Sequence, residues 1–179
     1  MSADADSIEL QVEEAAQLFN TLDPFPFRER DLDREAEEFI VGWARELPHK
    51  KPFRIVIHLP ESECKPGLAE QLRDALSRYF TYRADMTGRD LNEMFRVGRL
   101  SLAIGIAVLA ACIVTAGFAS RMFGTGELAR FVNEGIIILG WVANWRPIEI
   151  LLYDWWPLVR RRNLYRRLAA SEIELKPHA

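Results

Sequence analysis

Cysteine is scarce: Cys64 and Cys112 are the only two in 179 residues. That excludes a disulfide scaffold, and Cys112 lies in an apolar run where a bridge to Cys64 is not expected. Glycine and proline, at 10 and 9 residues, are too few for a low-complexity or collagen-like chain. The three histidines, His49, His58 and His178, stand at no metal-ligand spacing with either cysteine. No G-x-S-x-G, H-E-x-x-H or phosphate-loop motif occurs, and the G-T-G at 124–126 reads as a turn. The expectation is therefore a chain without metal, cofactor or catalytic constellation.

No strong charge of one sign is visible in the total, a net −3. That excludes a wholly basic nucleic-acid binder. The total conceals an asymmetry. Residues 1–95 hold 20 acidic and 12 basic side chains, a net −8, while residues 96–179 hold 6 and 11, a net +5. The chain is best read in halves.

The second half opens with 20 uncharged residues, Leu100 to Ala119, bracketed by Arg96, Arg99 and Arg121. About 20 apolar helical residues match the roughly 30 Å hydrocarbon core of a bilayer. The alternative is a buried helix of a soluble protein, but such helices rarely lack a polar face over this length. The run lies far from the acidic start MSADADS, so a retained anchor is expected rather than a signal peptide. A second apolar segment, Phe131 to Trp156, follows a short connection with Gly124 and Gly126. Together they predict a transmembrane helical hairpin with spans at about 98–119 and 131–156.

Arg89, Arg96 and Arg99 precede the first span, and Arg160, Arg161, Arg162, Arg166 and Arg167 follow the second. The connection holds only Arg121 and Arg130. This bias predicts that both termini are cytoplasmic, with Tyr153, Trp155 and Trp156 at the inner interface.

The acidic half predicts a small α+β domain. Residues 8–22 admit a helix (Ile8, Val12, Ala15, Phe19, Leu22) or a short strand (Ile8, Leu10, Val12), and helix is preferred from Val12. Pro24 and Pro26 then break regular structure. Residues 33–47 read as an amphipathic helix capped by Asp31 or Asp33, burying Phe39, Ile40, Trp43 and Leu47. Residues 53–59 read as a strand with Phe53, Ile55, Ile57 and Leu59 on one face. Its partner is residues 8–12, the tail 171–175 or a second copy. A helix is expected from Gly67 to about Asp85, restarting at Thr87 with Asp90 in a box-like cap. The division is thus 1–95 cytoplasmic, 96–158 hairpin and 159–179 a basic cytoplasmic segment.

Four groups are candidate sites. Glu134, Arg146, Glu149 and Asp154 interrupt the second span, and of its polar residues Asn144, Arg146, Glu149 and Asp154 suggest a partner contact or an ion path. The structural alternative is a kink at Pro147, with Arg146 snorkelling to the inner surface. Ser101 and Gly105, with Ala103, Ala107 and Ala111, form small-residue repeats suited to close helix packing. The five arginines at 160–167 set topology or bind anionic lipid headgroups. The acidic face at 29–46 is a solvated helix surface or a site for a basic partner.

The segments LFNTLDPFPFRERDLD, EEFIVGWAREL and RPIEILLYDWWPLVRRR resemble a group of small bacterial two-span inner-membrane proteins. The resemblance covers most of the chain. It implies a bacterial inner-membrane location and no activity or functional residues. The functional expectation is a non-enzymatic scaffold, adaptor or accessory subunit that contacts lipids and a membrane partner or itself, and no nucleic acid. The alternatives are a transport or ion-coupling subunit using Arg146 and Glu149, and a lipid-modifying enzyme.

Overall fold

A computed structural model of the chain describes residues 7–20, 31–48, 54–123 and 126–178. Phe53, Leu22 and the Pro24/Pro26 segment lie outside the described residues. The fold is predominantly helical, with a three-stranded parallel sheet and two helices long and apolar enough to cross a membrane. It divides into two compact units. One combines Met1–Thr87 with Arg160–Ala179, and the other is Gly88–Val159. We call them the sheet unit and the hairpin unit. The hairpin unit is inserted in the sequence of the sheet unit.

The sheet unit begins with strand β1 (Ser7–Gln11), the strand alternative for its first residues, while the helix preferred from Val12 is replaced by a single 3-10 turn. Ile8 and Leu10 are buried while Glu9 and Gln11 face out, the two-residue alternation of a half-buried strand. Val12 donates to the His58 carbonyl and continues the pairing. A 3-10 turn at Ala15–Leu18 then buries Ala15 and Leu18. Ile8, Ala15 and Phe19 do reach the core, but through a strand and a turn, because β1 has a strand to pair with.

Helix α1 (Arg34–Glu46) is capped by Asp33, whose carboxylate accepts from the Glu35 backbone N–H at 2.9 Å. Its buried residues are Ile40, Val41 and Ala44. The expected stripe is corrected in phase: Phe39 and Trp43 stay 43% and 49% exposed. Glu37, one turn before Ile40 and Val41, is drawn to the inner side by partners described below.

Strand β2 (Arg54–Pro60) is central, with Ile55, Ile57 and Leu59 fully buried. It pairs in parallel with β1, Ile8 opposite Ile55, and with β3 (Glu172–His178), Ile173 opposite Ile55. Both intrachain partners anticipated for this strand are therefore used. Pro177 sits on an edge strand, where its missing N–H interrupts no second ladder.

Gly67 adopts φ +84°, a conformation that favours glycine, and turns the chain into helix α2 (Leu68–Phe123). Leu72, Ala75, Leu76, Phe80 and Ala84 of α2 join the core with Leu164, Tyr165 and Leu168. The expected restart at Thr87 is corrected. The helix runs unbroken through Thr87 and Gly88, and the Thr87 hydroxyl donates back to the Arg83 carbonyl at 2.9 Å instead of capping a new helix.

In the hairpin unit, α2 is answered by α3 (Glu127–Val142), α4 (Trp145–Glu149), a π-helical turn (Ile150–Asp154) and the start of α5 (Trp155–Ala169). The break at Ala143–Asn144 has a cause four residues later. Pro147 has no N–H for the Ala143 carbonyl and its ring clashes there, so it is accommodated in the first turn of α4.

Candidate functional site

Asn144 is 4% exposed and spends both amide N–H groups on carbonyls, Gly105 and Gly140, each at 3.0 Å. The Asn144 backbone N–H has turned to Trp141, three residues back, leaving the Gly140 carbonyl without its helical donor. The side chain fills that place and binds α3 to α2 with its second N–H. Gly105 makes this approach possible: a Cβ there would lie 2.6 Å from Asn144 Oδ1 and 3.2 Å from the Ala143 carbonyl oxygen.

Arg146 turns elsewhere. It contacts Glu149 at 3.2 Å and Asp154 at 3.1 Å, while Trp145 Nε1 donates to Glu149 at 2.9 Å. The sequence-predicted polar group is thus two sites. Asn144 locks helices together, and Arg146 is neutralised by two carboxylates of its own segment. The π-helical turn brings Asp154 within reach.

The small-residue face also divides. Gly105 is buried and Ser101 half-buried, but Ala103, Ala107 and Ala111 are exposed. The close contacts are made by Gly98, whose Cβ would meet Ile150 at 2.8 Å, by Gly105, and by Gly140. A Cβ on Gly140 would stand 3.2 Å from both the Leu109 Cα and the Cys112 Cβ. Sequence reasoning missed Gly98 and Gly140, although Gly98-x6-Gly105 is a heptad spacing.

The five arginines have different surroundings. Arg161 Nε donates to the Tyr165 hydroxyl at 3.1 Å, and Arg167 donates to the Pro48 carbonyl at 2.8 Å. Arg162 is half-buried, while Arg160 and Arg166 are exposed.

Arg161 leads to a cluster in the sheet unit that sequence reasoning did not anticipate. Glu37 accepts from Tyr79 at 2.7 Å and Tyr165 at 3.1 Å, and pairs with Arg83 at 2.7 Å. The Tyr165 hydroxyl donates once and accepts twice, from Arg161 and from Arg83 at 3.3 Å. Both guanidinium carbons lie over the Tyr165 ring, at 5.5 and 5.6 Å. Phe80 stacks on the same ring, centroids 6.1 Å apart. One carboxylate thereby joins α1, α2 and α5. The legible signals were two i, i+4 pairs, Tyr79/Arg83 and Arg161/Tyr165, and a glutamate in phase with Ile40, Val41 and Ala44.

Burial, then the hydrogen bond to Glu37 and its negative charge, hold the Tyr79 hydroxyl well above the ordinary tyrosine range. The group stays neutral at physiological pH and serves as a donor, not a base. A raised folded-state value contributes stability that is present below the unfolded value near 10 and lost as pH rises toward the folded one. Tyr79→Phe is expected to cost about 1 kcal/mol at pH 7. It should also lose less stability than wild type between about pH 10 and 12. Denaturant melts of both proteins across that window check the sign; parallel curves would contradict it.

Among the described residues, no three of His, Cys, Asp and Glu gather in a metal-binding group. Cys64 and Cys112 are free thiols. No family model, curated protein or solved structure matches the chain.

Proposed function

We propose that this chain is a two-span integral protein of the bacterial inner membrane with both termini cytoplasmic, acting as a non-enzymatic adaptor or accessory subunit of a membrane complex. The observation that carries the reading is the outward surface of the hairpin unit. Leu100, Ile104, Ile113, Val114 and Phe118 on α2, and Phe131, Ile138, Leu139, Trp141 and Val142 on α3, are each more than half exposed. A surface of this extent is rare on a soluble monomer and supports a face turned to lipid.

The sheet supports the orientation. Because β3 pairs with β2, both ends of the hairpin return to one folded unit. An inserted segment that leaves and returns on one side must cross an even number of times. Arginine excess on that side supports a cytoplasmic face, where exposed Arg166 fits contact with anionic headgroups.

The geometry also favours a structural role for Arg146 over ion coupling. Gly98 meets Ile150 and Gly105 meets Asn144, so Arg146 lies level with a position slightly before Gly105. The uncharged run is centred about seven residues further on, roughly 10 Å along the helix. With a half-thickness of about 15 Å, Arg146 lies near the inner boundary, within snorkelling reach of water. The full cost of a charge at the bilayer centre does not apply.

Cross-linking in native membranes tests the adaptor reading. The expected product is a discrete covalent complex with a second membrane protein; a chain recovered only as a monomer would remove the main support.

A further inference from the structure

Packing among the described residues leaves the outer face of α1 unexplained. Glu35, Glu38, Phe39, Gly42, Trp43 and Glu46 fall at i, i+3, i+4, i+7, i+8 and i+11, one continuous helical face. Phe39 and Trp43 pack ring on ring, centroids 6.0 Å apart, yet stay 43% and 49% exposed. Beside them Gly42 has open space where a side chain would be, with nothing within 4 Å among the described residues. Glycine in a helix interior is unfavourable relative to alanine, and no contact among the described residues requires it here. Glu35 and Glu46 make no ion pair among the described residues, and Glu38 pairs only with exposed Arg34.

We propose that this face is a docking surface for a basic amphipathic helix of another protein. A large aliphatic side chain would seat over Gly42 against the paired rings, and Lys or Arg side chains would meet Glu35 and Glu46 at either end. Charge decides the occupant. A second copy of α1 would set carboxylates against carboxylates, and residues 1–95 carry 20 acidic against 12 basic side chains, so a basic partner is complementary where a copy is not. The inference rests on the adaptor reading and names the chemistry of the partner.

The test uses the full chain in zwitterionic nanodiscs and a labelled 18-residue Leu/Lys amphipathic helix, with empty nanodiscs subtracted. A Leu/Glu helix of the same pattern is the control. The basic helix is expected to bind and the acidic one not to bind. Phe39→Ala/Trp43→Ala should weaken binding at least tenfold. Glu35→Gln/Glu38→Gln/Glu46→Gln should weaken it similarly and flatten its salt dependence. Gly42→Leu is the decisive variant: it should unfold at or above the wild-type temperature while binding at least tenfold more weakly. No binding, equal binding of the acidic helix, or affinity unchanged in these variants would overturn the proposal. Self-association lost in Gly42→Leu with no effect on the peptide would overturn it too, assigning the face to a second copy. Recovery of the chain from carbonate-washed membranes, scored separately, shows whether a failure belongs to this surface or to the membrane reading.

Discussion

Glu37→Ala is expected to destabilise the sheet unit by about 2–4 kcal/mol. The variant removes the one carboxylate that accepts from Tyr79 and Tyr165 and pairs with Arg83. Tyr165 is 1% exposed, so its hydroxyl would lose its acceptor in a place water does not reach. Arg83 is about one-third exposed, with 34% of its side chain accessible. Its contribution is therefore discounted for solvent screening, which keeps the estimate below that of a fully buried pair. Glu37→Gln retains an acceptor without the charge and should lose roughly half as much. Chemical denaturation followed by the near-ultraviolet signal of the aromatic cluster measures both. A Glu37→Ala loss under about 0.5 kcal/mol, the level of an ordinary surface substitution, would show that the cluster does not hold α1, α2 and α5 together.

The second large effect belongs to the hairpin unit. Gly105→Leu is expected to cost about 3 kcal/mol or more, because the added side chain has nowhere to go. Its first carbon already falls 2.6 Å from Asn144 Oδ1 and 3.2 Å from a backbone oxygen. The helices must part, and the Asn144 bond to the Gly105 carbonyl goes with them. Such interhelical polar contacts are worth about 0.6–2 kcal/mol in membranes. Gly117→Leu is the matched control, since nothing lies within 4 Å of its added carbon. Ala107→Leu, on the exposed face, should likewise leave the hairpin intact. Thermal unfolding in detergent separates the three. Equal melting of Gly105→Leu and Gly117→Leu would contradict the packing described.

The sequence disclosed elements best where one physical signal dominated. The uncharged run at Leu100–Ala119 and the β-branched run at β2 were legible because length and alternation admit few alternatives. The N-terminal segment was not. Ile8, Val12, Ala15 and Phe19 satisfy helical spacing, and only the presence of β2 beside Ser7–Gln11 decides for a strand there, with a 3-10 turn at Ala15–Leu18 after it. The phase of α1 was hidden for a related reason. Phe39 and Trp43 outweigh Val41 and Ala44 in apolarity, but the inner side is set by Glu37 reaching Tyr79 and Tyr165, two contacts from distant sequence. Thr87 could have capped a helix, yet its hydroxyl finds the Arg83 carbonyl as easily. In the hairpin, Pro147 announced a disruption, but the compensation by Asn144 depends on Gly105 lying opposite. Arg146, Glu149 and Asp154 were read as one polar group with Asn144; their separation follows from the π-helical turn, which no local pattern reveals.

The central proposal is that the two apolar helices of Gly88–Val159 cross a bilayer as an insertion whose two ends return to one side. Impermeant-maleimide labelling tests it most directly. The background is a chain with Cys64→Ser and Cys112→Ala, carrying either Gly126→Cys in the connection or Lys176→Cys on β3. In intact cells Gly126→Cys should label and Lys176→Cys should not, and permeabilisation should expose Lys176→Cys. Labelling of both positions in intact cells, or of neither until permeabilisation, would contradict the account.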